Sequence, residues 1–503
     1  MHSTQLLIKS LLRYPVLVIL TVILGFSGAV FNGVGTLLIL PVLLELLGEA
    51  SEFKRNFPPI LRTFLEVFDS IPEGYRLLAM ASSIVLMILL KNLSNYANSL
   101  VSGTLNRKLA TSLRREGLRI LLDVDLDYFS KSRVGDLINH LNVEVSRTTI
   151  AVRNLVRLAS VLITLAVFLG ILVITSWQLT LISIFTLGSV ALLSQVVIKR
   201  SKALGRQLSS LSRAYSSRVF EVLAGIRLVK STANEENEFA TLDRLILDRE
   251  QAEFQSQLIF AGIAPFNEMA SILALMATAV LGRLMFSDQL AYFSSVLLTY
   301  LLVLFRMMPF IGQLNSLRSN LANTTVSVEI VSNFLRRDDK PFMSQGHRQY
   351  STLQTGIHFN QISFRYPNHD KWVLRSIDLY LPRGKTLALV GTSGAGKSTL
   401  ADLLPRFYDP TEGRIEIDGI NLKEFNLQSY RRRLGIVSQD TFLFNASVRE
   451  NLLYGRQEAT EEELISAATR ANAYEFIERL PDGMDTMIGD RGVLLSGGQR
   501  QRL

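Results

Sequence analysis

A chain of 503 residues has room for two or three domains. With 48% hydrophobic and 19% charged residues and a mean hydropathy of +0.26, it is too apolar for one soluble enzyme of this length and too charged for a protein wholly inside lipid. The formal net charge of +9 does not call for nucleic acid, because Lys and Arg collect in the cytoplasmic loops of membrane proteins, and the absence of cysteine excludes disulfides, thiolate metal sites and a cysteine nucleophile.

The apolar run 16–47 follows Lys9 and Arg13 as a secretory signal would, yet it is much longer than a signal's apolar segment and more such runs follow, so it is expected to stay as a span. At about 1.5 Å per residue it exceeds a hydrocarbon core of about 30 Å, which predicts a tilted helix projecting beyond the bilayer. Five further runs, near 77–100, 155–176, 179–198, 258–281 and 290–314, bring the expected spans to six.

The loops alternate in charge. The segment between the second and third spans carries Arg107, Lys108, Arg114, Arg115 and Arg119, and the one after the fourth carries Lys199, Arg200, Lys202, Arg206 and Arg213. The first loop instead mixes Lys54 and Arg55 with Glu49, Glu52, Glu66, Asp69 and Glu73. Both termini are therefore expected on the cytoplasmic side, with short far-side turns at Trp177-Gln178 and Phe286-Ser287-Asp288. No proline occurs between Pro72 and Pro265, so the basic inner loops are expected to be long, unbroken continuations of the membrane helices, folded back at a short turn such as 132–135. Lys91, Glu268 and Arg306 fall inside predicted spans, where they line a cavity for an anionic or amphipathic molecule or else pair helices and snorkel.

The pattern changes at Arg336-Arg337-Asp338-Asp339-Lys340-Pro341, a polar linker. The expected organisation is a membrane domain over 1–335, a linker over 336–355 and a second domain over 356–503. In the second domain short β-type runs at 357–364, 373–379, 386–390 and 434–437 alternate with helical stretches at 397–404 and 461–472, an α/β reading. No short repeat or low-complexity tract is visible.

Two motifs in the second domain carry chemistry. Gly391-Thr392-Ser393-Gly394-Ala395-Gly396-Lys397-Ser398 fits the phosphate-binding pattern G-x-x-x-x-G-K-[ST], between an expected strand and an expected helix that continues with Thr399. Glycines let consecutive backbone N–H groups turn toward phosphates, Lys397 reaches the β and γ phosphates, and the Ser398 hydroxyl is suited to Mg²⁺. Leu495-Ser496-Gly497-Gly498-Gln499 stands about a hundred residues further on; by itself it also reads as a helix start with Ser496 as N-cap.

With both motifs present, the sequence resembles the ATP-binding cassette (ABC) superfamily, and the exporter type in particular. The resemblance implies a six-helix membrane domain with long cytoplasmic extensions, joined to an α/β P-loop cassette. ATP and Mg²⁺ are the implied cofactors. Tyr366, in Phe364-Arg365-Tyr366-Pro367, would stack on adenine. Gln439, in Ile436-Val437-Ser438-Gln439, would contact Mg²⁺ and the attacking water, and Ser496, Gly497, Gly498 and Gln499 would close on ATP held by another cassette. Gly489-Asp490-Arg491-Gly492 resembles the segment that meets the membrane domain's coupling loops. Those loops resemble Tyr128-Phe129 with Gly135-Asp136-Leu137, and the stretch from Glu221 through Gly225-Ile226 to Val229-Lys230.

A complete cassette continues past the signature to an apolar strand ending in Asp-Glu and to a switch His, which have no assignable positions before Leu503. The chain as given is therefore expected to be C-terminally incomplete and unable to hydrolyse ATP. The expected function of the full-length form is ATP-driven export or flipping of an amphipath, whether lipid, lipid-linked glycan, drug or peptide. It would work as a homodimer or with a related half-transporter in the bacterial plasma (inner) membrane, its cassette cytoplasmic, with no nucleic-acid partner. The alternative is a catalytically inactive, nucleotide-sensing membrane protein.

Overall fold

The computed structural model describes residues 2–46, 68, 70–285, 290–367, 369–439 and 441–503. The chain divides into two compact units, Met1–Met343 and Ser344–Leu503.

The first unit is helical. Its elements in order are α1 (His2–Leu12), α2 (Pro15–Leu37), α3 (Ile39–Leu46), α4 (Glu73–Asp123), α5 (Leu126–Lys131), α6 (Val134–Asn139), a π-helical turn (His140–Glu144), α7 (Val145–Thr175), α8 (Trp177–Ala224), α9 (Ile226–Ser231), α10 (Glu235–Met285) and α11 (Leu290–Leu335). The stretch without proline has become the long helices, α4 with 51 residues and α8 with 48. A helix of that length runs on the order of 75 Å, more than twice a hydrocarbon core, so each continues well beyond any bilayer.

Among the described residues, Pro15–Leu43, Gly74–Asp123, Val134–Thr175 and Val296–Leu335 are long and apolar enough to cross a membrane. The share of each apolar window buried in the bundle lies between 11% and 44%, so most of that apolar surface faces outward, as lipid favours and water does not. The expected spans 179–198 and 258–281 lie on α8 and α10, where Trp177–Thr186 is a shorter apolar stretch.

Three details differ from the sequence reading. The first span carries a break in its hydrogen bonding: Leu38 stands between α2 and α3, still in right-handed helical geometry (φ −73°, ψ −16°), because Pro41 supplies no N–H and its ring crowds the carbonyl four residues earlier, at Leu37. The turn expected at Trp177-Gln178 is the single extended residue Ser176, whose Oγ accepts from the Leu179 N–H and caps α8. The turn expected at 132–135 contains only Ser132 and Arg133 in extended form, flanked by α5 and α6. The turn expected at 286–288 and most of the first loop lie outside the described residues.

The membrane-level core gathers Phe168, Leu172, Leu179, Tyr300, Val303 and Leu304. Inside it, the Tyr300 hydroxyl donates to Ser183 Oγ at 2.9 Å and Ser183 meets Thr278 at 3.3 Å, so one short polar chain ties α11, α8 and α10. A second core, among Leu113, Ile120, Leu137, Val145, Val331 and Phe334, holds the helical extensions together. Gly117 is required there, since a Cβ would stand 2.6 Å from the Phe334 ring.

The second unit carries a four-stranded antiparallel sheet in the order β2-β1-β3-β4, with β1 at Gly356–Phe364, β2 at Leu374–Pro382, β3 at Glu412–Ile417 and β4 at Ile420–Asn421. β3 and β4 form a hairpin around Asp418 (φ 53°) and Gly419 (φ 76°), the Asp-Gly pair a two-residue I′ turn favours. Burial by itself raises the Asp418 pKa. The backbone N–H groups of Thr355, Gln354 and Gly356 and the Thr355 hydroxyl outweigh that and hold it at about 2.

The helices of this unit are α12 (Lys397–Leu403), α13 (Leu427–Arg431), α14 (Val448–Leu453), α15 (Glu461–Arg470), α16 (Tyr474–Glu478) and α17 (Gly497–Arg502). The expected strands 386–390 and 434–437 are absent from every ladder among the described residues. Val390 is 92% exposed and Val437 77%, so these apolar segments lie open: their composition demands burial in a sheet, but a ladder needs a partner strand, and none pairs with them.

Candidate functional site

The phosphate-loop residues lie between the unpaired segment 386–390 and α12. Gly391 (φ 157°), Gly394 (φ 82°) and Gly396 (φ 88°) all have positive φ, which L side chains adopt at a cost. Two of them show why glycine is needed. Gly396 is the left-handed N-cap of α12, and a Cβ on it would lie 2.8 Å from Leu374 Cδ2 and 3.3 Å from the Val373 carbonyl, whereas Gly394 has open space around it and needs only the backbone freedom.

Lys397 folds back over the loop, its Nζ donating to the carbonyls of Gly391 at 3.0 Å and Thr392 at 2.8 Å. The ammonium therefore rests on two neutral, exchangeable partners within the loop. An arriving phosphate would replace two neutral carbonyls by charged oxygens, a stronger hydrogen-bond set. The loop from Gly391 to Ala395 is exposed, as is Ser398, while Thr399 is buried one residue into α12. The free N–H groups of the first turn of α12 add positive potential at the same place.

Tyr366 comes to this site from the end of β1. Its hydroxyl meets Thr399 Oγ1 at 3.0 Å, and its ring is edge-on to Phe364 and Tyr408, with centroids 5.0 and 5.4 Å away. The segment just after β1 is thus pinned to α12, through a hydrogen bond that sequence spacing does not reveal. Tyr366 packs against these rings while its own ring remains only partly buried.

Gln439 is exposed in the unpaired stretch after residue 433, with no described contact to the phosphate loop. Glu450, a carboxylate near this stretch, is committed elsewhere: its Oε2 accepts from the Ser447 N–H at 3.0 Å in the capping box of α14. Asp440 lies outside the described residues.

The signature residues rest on a different core. Tyr366, Leu400 and Leu403 belong to the sheet core with Phe359 and Ile362, while Leu495 belongs with Leu443, Val448, Ile477 and Ile488. Ser496 caps α17: its Oγ accepts from the Gln499 N–H at 3.3 Å, and Gln499 Oε1 accepts from the Ser496 N–H at 2.8 Å. The bland reading of Ser496 as an N-cap therefore holds. Gly497 and Gly498 do not have positive φ, and nothing lies within 4 Å of a built Cβ, so no contact among the described residues asks for glycine there.

In the first unit, Arg306 and Glu268 are exposed on the helical surface and Lys91 is half-buried, and no ion pair joins any of the three to another described residue. Sequence reasoning passed over two buried charges. Arg406 is 1% exposed, held by Asp409 at 2.8 Å, and Glu144 is fully buried at the π turn.

Residues 16–308 match the family described as ABC transporter transmembrane region, and residues 374–503 match the family ABC transporter. The heterocyst differentiation ATP-binding protein HepA of Nostoc sp. is 32% identical over 501 residues, covering 100% of this chain and 81% of that protein. An ATP-dependent lipid A-core flippase of Haemophilus ducreyi is 31% identical over 84% of this chain and 73% of its own length. A multidrug export ATP-binding/permease protein of Bacillus subtilis, YgaD, is 30% identical over 76% of this chain and 66% of its own. Among solved structures, a bacterial Atm1-family ABC exporter with ATP bound superposes with a TM-score of 0.71 at 24% identity, covering 94% of this chain and 82% of that one.

Proposed function

The chain belongs to the ABC transporter family, with an exporter-type membrane region fused to its cassette, and from that premise we propose that two copies form an exporter of amphipathic molecules, each holding ATP against the other's signature. It is an integral membrane protein that binds ATP and uses it to drive export. The observation that carries the paired site is the separation of its halves: phosphate loop and signature stand on different cores of one cassette, and a side chain at Gly497 or Gly498 would meet nothing within 4 Å among the described residues.

In this reading Tyr366 stacks on adenine, the loop from Gly391 through Ser398 to Thr399 cradles the phosphates, and Lys397 exchanges its carbonyl partners for β and γ oxygens. Ser398 and Gln439 contribute to Mg²⁺, and Gln439 orients the attacking water. ATP-driven closure would draw the long helical extensions together and turn a cavity from one side of the membrane to the other. The basic inner loops favour a bacterial inner membrane orientation with cytoplasmic cassettes. The names of the relatives, lipid A-core flippase and multidrug exporter, support a lipid or other amphipath as cargo.

The test is movement of a fluorescent phospholipid across proteoliposomes containing the full-length protein. Flipping that requires MgATP and disappears in Lys397→Ala supports the proposal; flipping indifferent to nucleotide removes it.

A further inference from the structure

The helical extension of α6 and α7 contains a π turn at His140–Glu144, where Val145 N–H reaches back to the His140 carbonyl. Such turns are rare and frequently mark functional positions. The Leu141 carbonyl inside the turn is taken by Arg114 Nε at 3.3 Å, and Arg114 Nη2 is taken by Ser146 Oγ at 3.0 Å. The backbone is thus supported; the side chains are not.

Glu144 is 0% exposed. Its Oε1 accepts from Ser209 Oγ on α8 at 2.7 Å and from Asn139 Nδ2 at 3.4 Å, while Oε2 has no partner. Asn139, 2% exposed, lies five residues earlier, one π turn away, and its Oδ1 also has no partner. Thr148, 0% exposed, lies four residues later, one α turn away, and its Oγ1 is likewise unpartnered. Three buried oxygens along this stretch of helix therefore lack partners, two of them on the hydrogen-bonded pair Glu144 and Asn139, and no Lys, Arg or His nitrogen lies within 4 Å of the Glu144 carboxylate among the described residues.

A buried carboxyl group with a free oxygen is costly by several kcal/mol in its charged form unless an opposite charge or a metal ion compensates it, the other escape being to hold its proton. His140, whose Nδ1 is also buried and unpartnered, brings no ring nitrogen within 4 Å of that carboxylate. Arg114 is occupied by Leu141 and Ser146.

We propose that Glu144, Asn139 and Thr148 form a binding site for a small monovalent cation, of sodium size, inside the α6–α7 extension. The charge of one carboxylate among neutral oxygens matches one positive charge. A divalent ion would leave the buried site with a net positive charge, and the all-oxygen donors suit a hard ion. Through Ser209 the site also reaches α8, close to where Gly135 presses on the Ser217 backbone so tightly that a Cβ would stand 2.7 Å from its Cα. The ion would therefore fasten the two helical extensions to each other near the coupling turn.

The experiment is thermal unfolding of the purified chain in lipid nanodiscs, titrating NaCl against N-methyl-glucamine chloride at constant ionic strength. Wild type is expected to gain melting temperature saturably with Na⁺, Glu144→Gln to lose the response, and Thr148→Val to need a roughly tenfold higher Na⁺ concentration. A wild-type profile that does not distinguish Na⁺ from N-methyl-glucamine overturns the site and leaves a buried water in its place. A Glu144→Gln variant that still responds to Na⁺ overturns it as well. Should Glu144→Gln fail to fold, Thr148→Val decides, and an unshifted Na⁺ titration in that variant overturns the site.

Discussion

Replacing Gly396 by alanine tests the phosphate loop at its tightest point. An L residue at φ 88° costs about 1–2 kcal/mol of backbone strain, and the new methyl meets Leu374 Cδ2 at 2.8 Å and the Val373 carbonyl at 3.3 Å. Leu374 is 5% exposed and packed in the sheet core, so it has little room to retreat, and overpacking of this kind costs about 1–3 kcal/mol more. Together this amounts to about 2–5 kcal/mol against the binding-competent loop, or on the order of thirtyfold to several thousandfold in ATP affinity. Gly394→Ala, at φ 82° with open space, carries only the strain and should lose roughly tenfold. Calorimetric ATP titration of both variants beside wild type checks the order. Equal losses, or an unchanged affinity in Gly396→Ala, would refute the steric reasoning.

Lys397→Ala is expected to weaken MgATP binding and abolish transport in the full-length protein while leaving the helical unit's circular dichroism intact; an unchanged affinity counts against the phosphate-loop assignment. Asp418, at about 2 in the folded cassette against an ordinary value of about 3.9, stabilises the fold fully above about pH 4, and that contribution fades as the pH falls toward 2. Acid unfolding should therefore be less steep across that window in Asp418→Asn, and superimposable curves would show that the N–H groups of 354–356 do not matter. Arg306→Ala is expected to change substrate-stimulated more than basal ATPase in the full-length protein. Equal losses with a lower melting temperature would make Arg306 a structural residue.

The long helices could be read from the sequence because one physical cause, the lack of proline over 73–264, acts locally at every turn. The phosphate loop was equally legible, since Gly391, Gly394 and Gly396 are demanded by backbone angles that the motif itself encodes. The break at Leu38 was legible too, through Pro41, but the apolar run over it was read as one element. The strands at 386–390 and 434–437 failed for the opposite reason: their residues report a preference for burial, while a strand exists only with a partner. Glu144 and Arg406 could not be found from sequence, because a charge is buried by what folds over it, and neither Ser209 nor Ser344 is near them in the chain. Tyr366's bond to Thr399 spans 33 residues and belongs to the same class.

The paired site is tested most directly by trapping it between copies. The chain has no cysteine, so Ser393→Cys in one tagged copy and Gln501→Cys in a differently tagged copy are the only thiols present for a short bis-maleimide. ATP should raise the yield of the crosslink between differently tagged copies, and Lys397→Ala in both copies should abolish the increase. A yield that ATP does not change, or crosslinking that Lys397→Ala leaves intact, would contradict closure of one cassette's signature on the other's nucleotide.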